Sequence, residues 1–208
     1  FSIFFLNFNK LLIYMTKYFI NHWESDCVIL TSYLDEVEFY SGTERRTGQF
    51  KPVKHSKGCG SMLFGFTWKG FLKYDKQTGE KVYRDKCPKT NLYKTKCKSL
   101  YPELDDIFKE FSELYFKDFN WTQVQMNKNY LCPPHKDASN IGESILLTLG
   151  DYTGGETIVE LNEKEKEIYN SHNNLVKFDG SKYKHWTTPF KGLRYALVFF
   201  NNNKVLCN

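Results

Sequence analysis

The chain holds no closely spaced pair of cysteines. Its six, Cys27, Cys59, Cys87, Cys97, Cys132 and Cys207, are scattered through 208 residues, which excludes a zinc-type ligand set built from them and argues against a disulfide framework. Free thiols in a reducing, intracellular compartment are the expectation. Long apolar runs are missing too. The stretch FSIFFLNFNKLLIY at residues 1–14 is broken by Asn7, Asn9 and Lys10, so it is too short to span a bilayer and makes a poor signal peptide; no membrane partner is expected. Met15 reads as an alternative start, with residues 1–14 an extension or a fusion remnant, and those residues read equally as an apolar helix packed on the domain. There is no internal repeat, no low-complexity linker, and no zinc finger or other reader module. What is there, 41% apolar over 208 residues, is one ordinary globular domain, residues 1–208, able to bury its core without staples.

Periodicity divides that domain unevenly. Cys27 to Leu30 is a short apolar run that reads as a strand, and Leu34 to Tyr40 places Leu34, Val37 and Phe39 or Tyr40 on roughly one helical face. The middle is turn-rich. Pro102 opens the clearest helix, where Leu104, Ile107, Phe108, Phe111, Leu114 and Tyr115 recur at three- and four-residue steps behind an acidic first turn. After Asn120 come short runs of strand formers separated by Gly, Asn, Asp and Pro: Trp121 to Met126, Ser144 to Leu149, Glu156 to Leu161, Asn174 to Phe178 and Tyr195 to Phe200. Asp151 to Gly155 reads as a tight turn whose glycines supply positive φ, and Glu160 to Glu167 as a solvated loop. The sum is a closed or sandwiched antiparallel β domain with flanking helices.

Chemistry is concentrated in the β half. His135 and Asp137 follow Pro133 and Pro134, and His185 comes fifty residues after His135. On extended chain a His-x-Asp pair points both side chains to one face, because strand side chains alternate with period two. A third imidazole from a later strand completes a two-histidine, one-carboxylate facial triad, which holds Fe(II) on one side and leaves the opposite positions open. Arg194, nine residues beyond His185 and at the head of the run Tyr195 to Phe200, suits a dicarboxylate co-substrate such as 2-oxoglutarate through paired N–H groups. A lone His-x-Asp is a weak signal, and a core histidine pair is the competing reading; the weight lies in the whole constellation.

From about Asn120 to Phe200 the chain resembles the Fe(II)/2-oxoglutarate-dependent dioxygenases, in the segments NYLCPPHKDASNIGES, LLTLGDYTGGETIVEL and NLVKFDGSKYKHWTTPFKGLRYALVFF. The resemblance implies a double-stranded β-helix, or jelly roll, with residues 120–203 as its core around the metal site and residues 1–119 as N-terminal strands and supporting helices. It implies His135, Asp137 and His185 as the iron ligands, Arg194 as partner of the co-substrate's distal carboxylate, and Fe(II) and 2-oxoglutarate as cofactors, with ascorbate as a stimulant. The string LGDYTGGE and the series around His185 look most like the ten-eleven-translocation and base-J thymidine hydroxylase branch with its algal and viral-type relatives, which oxidise the 5-methyl group of a pyrimidine in nucleic acid. The prolyl 4-hydroxylase branch shares the Gly-Gly-Glu turn, so a protein side-chain hydroxylase is the alternative, and a non-catalytic binding module the minor one. Many relatives carry Arg-x-Ser, whereas this chain reads Arg194, Tyr195, Ala196. The second carboxylate contact must then come from elsewhere, with Tyr130 and Thr148 the candidates. Asn127 and Asn129, in the same approach segment, read as turn or strand-end residues.

Charge adds one substrate hint. From Trp68 to Lys98 there are ten basic residues against Asp75, Glu80 and Asp85, a net of +7 inside a chain of +5. Trp68, Phe71, Tyr74, Tyr83 and Tyr93 are interleaved with those lysines and Arg84. Cations suit a phosphate backbone and aromatic faces suit an unpaired base, so segment 68–98 is a nucleic-acid candidate; a lysine-rich solvated surface is the plainer reading. Arg45 and Arg46 extend the patch or are merely exposed.

Overall fold

A computed structural model of the chain describes residues 18–39, 59–69, 71–75, 77–83 and 91–206. Residues 1–14, the Arg45–Arg46 pair, Arg84, Lys86 and Lys89 lie outside them. The body is a six-stranded antiparallel sheet in the order β10 (Val176–Phe178), β6 (Ser144–Leu149), β13 (Tyr195–Phe200), β5 (Gln123–Lys128), β1 (Gly60–Thr67), β4 (Tyr93–Lys94). Against it stands a smaller sheet of β11 (Lys184–Thr187), β8 (Thr157–Glu160) and β9 (Lys166–Tyr169), widened by an antiparallel bridge between His135 and His185. The short pair β7 (Tyr152–Gly154) and β12 (Phe190–Gly192) prolongs the β8–β11 ribbon. Between β5 and β13 the chain passes repeatedly from one sheet to the other: β5, the His135 segment, β6, β7 to β9, β10, β11 to β12, then β13. That alternation makes the domain a double-stranded β-helix. A small hairpin, β2 (Phe71–Tyr74) with β3 (Lys81–Tyr83), stands apart from both sheets.

Helices cover the outer face of the large sheet. They are α1 (Trp23–Asp35), the short α2 (Lys96–Leu100), α3 (Leu104–Tyr115) and a closing turn, α4 (Asn203–Leu206). The inner stripe of α3, Leu104, Ile107, Phe108 and Phe111, is fully buried. The Phe108 ring meets Phe64 of β1 at 5.3 Å and Phe199 of β13 at 5.7 Å, both edge-on, the favoured geometry for aromatic pairs. Strand parity then divides the core. On β13, Tyr195, Leu197 and Phe199 face the helices, while Ala196 joins Leu146, Val159, Val176 and Phe178 in a second cluster between the sheets. Every residue of β6 is buried because both its faces are covered.

Several elements differ from the sequence reading. Cys27 to Leu30 lies within α1 and is not a strand. Four apolar residues cannot distinguish the two periods, and the wider spacing of Cys27, Leu30 and Leu34, all buried on one side, is helical. The Asp26 carboxylate accepts hydrogen bonds from the Ile20 and His22 N–H groups at 2.9 and 3.2 Å, tying down the helix entry. This helix ends at Asp35, so residues 36–39 form no helix of their own, and Tyr40 lies outside the described residues; Phe39 packs at 5.7 Å on the Tyr195 ring. Within Asp151 to Gly155, the turn contracts to Gly150 and Asp151, and Tyr152 to Gly154 forms β7. Glycine is required at 150: φ is +104°, and a Cβ there would sit 2.3 Å from the Leu193 carbonyl oxygen. The proposed loop Glu160 to Glu167 is shorter, with β9 beginning at Lys166. β1 lies in the stretch read as turn-rich. Among the described residues no disulfide forms, and no helix is long and apolar enough to cross a membrane.

Candidate metal centre

Backbone pairing assembles the first three side chains. His135 and His185 exchange both backbone hydrogen bonds, at 3.0 and 2.9 Å, so their side chains leave the sheet on one face, ring centroids 4.2 Å apart. Two residues on, Asp137 returns to that face, its N–H held by the Gly180 carbonyl at 2.8 Å. His135 Nε2 lies 3.5 Å from one Asp137 oxygen and His185 Nε2 3.6 Å from the other, and the three prospective ligand atoms fall within 4.8 Å of one another.

The rings are also set for coordination. His135 Nδ1 lies 2.9 Å from the Pro133 carbonyl oxygen and His185 Nδ1 lies 3.1 Å from that of Tyr183. A carbonyl only accepts, so each Nδ1 carries the proton of the neutral ring, and each Nε2 turns its lone pair toward the shared point beside Asp137. Asn140 Nδ2 donates to the Asp137 carboxylate at 3.3 Å, fixing its plane. Two imidazole nitrogens and one carboxylate oxygen on one face fit a facial-triad Fe(II) site.

The Phe-Asp-Gly string has a part-by-part explanation. The Phe178 ring meets His185 edge-on at 4.9 Å. Asp179 closes the following turn, accepting from the N–H groups of Ser181 and Lys182 at 3.0 and 3.1 Å. Gly180 gives room: a Cβ there would lie 3.1 Å from His185 Cε1 and 3.2 Å from Asp137 Oδ2. Cys132 Sγ sits 3.5 Å from His135 Nδ1.

Burial opposes protonation of His135, but Asp137 and Cys132 outweigh it and raise the metal-free imidazole to about 10. The protonated pair therefore stabilises the metal-free fold below the ordinary histidine pKa, and that contribution is lost as pH climbs through the raised value. A metal ion must displace the same proton, so affinity rises with pH, by about tenfold per unit from neutrality upward. Calorimetry of Mn(II) binding at neutral pH in buffers of different ionisation enthalpy should detect one proton released per ion; no release refutes this coupling.

The arginine sits deeper between the sheets. Arg194 precedes β13 by one residue, on the inner parity, and is 2% exposed. Its Cζ lies 5.5 Å from the Tyr152 ring centroid and 5.4 Å from that of Phe190, a cation held between two aromatic rings. Nη2 donates to the Gly155 carbonyl at 3.2 Å, and the buried Nε has no partner among the described residues. Burial pushes its pKa down while Tyr152 opposes the shift; a guanidinium remains cationic there. The double glycine makes the space, since a Cβ at Gly155 would meet Arg194 Nε at 3.0 Å. Asn129, at φ +49°, donates its N–H to the Arg194 carbonyl at 2.8 Å and accepts the Arg194 N–H on Oδ1 at 2.9 Å. An incompletely hydrogen-bonded buried cation is costly unless an anion joins it, and a ligand carboxylate fits that need.

The other candidates are placed as follows. Thr148 is fully buried, with Oγ1 at 2.5 Å from Tyr152 Oη and 3.0 Å from Ser171 Oγ. Tyr130 is half-buried in the approach between β5 and His135. Asn127 Oδ1 accepts from Ser61 Oγ at 2.7 Å, and Asn127 pairs with Ala196 across β5 and β13. Sequence reasoning did not single out Tyr152, Ser171 or Asn140; Tyr152 stands inside the LGDYTGGE string, but only its pairing with β12 shows where it faces.

No protein-family description matches the chain, and no curated protein does. Solved structures do match. One is an oxidoreductase of the 2OG-Fe(II) oxygenase family from Burkholderia pseudomallei, 12% identical with a TM-score of 0.47 over 85% of this chain and 77% of that one. Another is NgTET1 in complex with 5mC DNA, 18% identical with a TM-score of 0.45 over 86% and 68%. A third is a prolyl hydroxylase from Trichoplax adhaerens in complex with a hypoxia inducible factor oxygen degradation domain peptide fragment, 14% identical with a TM-score of 0.41 over 86% and 76%. Likenesses this distant leave activity and substrate to the side chains.

Proposed function

We propose that this protein is an Fe(II)/2-oxoglutarate-dependent dioxygenase that hydroxylates the 5-methyl group of a pyrimidine in nucleic acid. The observation that carries the dioxygenase reading is the pairing of two features in one β domain: three ligand atoms converging on one face, and a buried guanidinium short of hydrogen-bond acceptors. His135 Nε2, His185 Nε2 and an Asp137 oxygen would hold the metal and keep its other side accessible. Arg194 would bind the distal carboxylate of 2-oxoglutarate in a site from which water is excluded, where a charge-assisted pair is strong. Fe(II) with this co-substrate supplies dioxygen activation, coupled to release of succinate and carbon dioxide. The chain's share is to orient the metal's open side and to exclude bulk water, with Phe178 and Gly180 walling the ligands.

The nucleic-acid half of the reading draws on the resemblance in residues 120–200 and on one surface feature. Trp68 is 43% exposed, with Lys69 Nζ 4.9 Å and Lys204 Nζ 4.5 Å from its ring. The neighbour of Lys204, Asn203, donates its N–H to the Ser139 carbonyl at 3.1 Å, two residues from Asp137. An aromatic face with cations therefore lies a short chain of contacts from the metal ligands, as stacking and phosphate binding require. Within segment 68–98, one lysine is withdrawn from the surface. Lys98 is buried, ion-paired with Asp105, and its ammonium stands 4.9 Å over the Phe64 ring.

The test is anaerobic loading with Fe(II), then addition of oxygen, 2-oxoglutarate and ascorbate to parallel reactions holding 5-methylcytosine DNA, thymine DNA, RNA and a proline-rich peptide. Succinate formation coupled to an oxygen-atom mass gain on one nucleic acid is the expected result. Coupling on the peptide alone transfers the protein to side-chain hydroxylation, and no succinate with any substrate removes the dioxygenase reading.

A further inference from the structure

The smaller sheet has two faces, and the metal ligands use only one. His185 pairs with Val159, and Val159 lies in the cluster between the sheets, so the residues of opposite parity point outward. Trp186, Ile158 and Ile168 form one outward row across β11, β8 and β9. The next row is Lys136, Lys184, Glu160 and Lys166. Ile168, 69% exposed, is the most exposed large apolar side chain among the described residues.

β9 is also the edge of this sheet. The Leu161 N–H donates to the Glu165 carbonyl at 3.0 Å, and antiparallel ladders alternate bonded with non-bonded pairs. In the β8–β9 register the bonded pairs are therefore Val159 with Glu167 and Thr157 with Tyr169. The backbone N–H and C=O groups of Lys166 and Ile168 point the other way, to an edge that has no partner strand among the described residues.

Charge decides what such an edge can take. Lys184 binds Glu160 at 2.7 Å and Lys166 Nζ stands 5.3 Å from the Trp186 ring centroid; with Lys136 the row holds three cations against one carboxylate. The hydrogen bond from Lys184, with the charges of Lys166 and Lys136 behind it, keeps the Glu160 carboxyl below its ordinary range. The nearby acids are placed elsewhere: Glu167 has the opposite parity and accepts from the Tyr169 hydroxyl, and Glu165 lies in the turn, bound by Asn162 Nδ2 at 3.1 Å. Lysines on an edge repel chance pairing, and the same lysines favour a strand that brings carboxylates to them.

We infer that the β9 edge is a docking site for an extended acidic segment of another protein, which adds a strand through the backbone groups of Lys166 and Ile168. Residues two apart share a face, so the segment carries a carboxylate opposite Lys166 and an aliphatic side chain opposite Ile168. The outward row has the opposite parity from the metal ligands, and the inference stands independently of the function proposed above.

The experiment titrates the full chain with an end-blocked, fluorescently labelled peptide alternating glutamate and valine, followed by anisotropy and by hydrogen exchange of the chain. Binding should slow exchange at the Lys166 and Ile168 amides. A lysine–valine peptide, and the glutamate peptide N-methylated on alternate residues to remove its donors, should each bind at least about tenfold more weakly. Lys166→Glu should weaken the glutamate peptide by about tenfold or more and favour the lysine peptide, with its thermal melt unchanged because the side chain is exposed. Equal binding of both peptides, no saturable binding, or protection confined to another segment would overturn the inference. Displacement of the peptide by single-stranded DNA of equal charge would make this a general anion surface and overturn it as well. A dimer that Ile168→Lys converts to monomer would assign the edge to a second copy of this chain instead.

Discussion

Replacing Asp137 with alanine abolishes metal uptake and, with it, succinate formation and substrate oxidation. Asp137 is the only anion of the three prospective ligands, and both Nε2 atoms face its oxygens at 3.5 and 3.6 Å. Without it, two neutral imidazoles remain, and they hold a hard divalent cation poorly. Loss of a supporting partner behind a metal ligand already costs about 10- to 100-fold in affinity, so loss of a ligand itself should exceed that. The fold should survive, because the strand contacts at this residue are made by its backbone: its N–H donates to Gly180 and its carbonyl accepts from Asn140. Metal content after dialysis, a thermal melt and a succinate assay on the same preparation test all three statements. His135→Ala should behave alike in activity. Turnover retained by either variant would remove the metal assignment.

Arg194→Met should raise the KM for 2-oxoglutarate by about two to three orders of magnitude, the effect of removing one partner of a buried charged pair, about 2–5 kcal/mol. Stability should move the other way or not at all. The guanidinium is 2% exposed with Nε unpartnered among the described residues, and replacing a buried charge by an apolar side chain of similar volume is often neutral or stabilising. A methionine would still fill the slot between Tyr152 and Phe190. This opposite movement of affinity and melting temperature separates a ligand-binding arginine from a structural one. A variant that melts much earlier while keeping its KM would identify Arg194 as a core cation.

The parts legible in the sequence are those set by local periodicity. β6 and β13 read correctly because strands covered on both faces become continuous apolar runs, and His135 with Asp137 read as a pair because period two is a property of any strand. α3 read correctly because its stripe is long enough to fix a period. The parts that did not read depend on partners far along the chain. Tyr152 to Gly154 is a strand only because Phe190 to Gly192 lies beside it, and Cys27 to Leu30 is helical because of residues beyond the run itself. Lys98 counted as surface charge until Asp105 covered it. Tyr152's neighbours Thr148, Ser171 and Arg194 converge from three separate stretches, and no local pattern announces that.

One property of β13 ties the chemistry to the fold. Its odd residues, Tyr195, Leu197 and Phe199, are held under the helices, with Tyr195 Oη donating to an Asp35 oxygen at 2.5 Å on the outer side. That aromatic grip is what obliges Arg194 and Ala196 to look inward, since neighbours on a strand take opposite faces. A single-residue insertion or deletion between Arg194 and Phe199 would therefore force a choice: the chain can keep its rings beneath the helices or its cation inside the barrel, but not both. Substitutions can be tolerated one by one along this strand, while changes of length are confined to the loops beyond it.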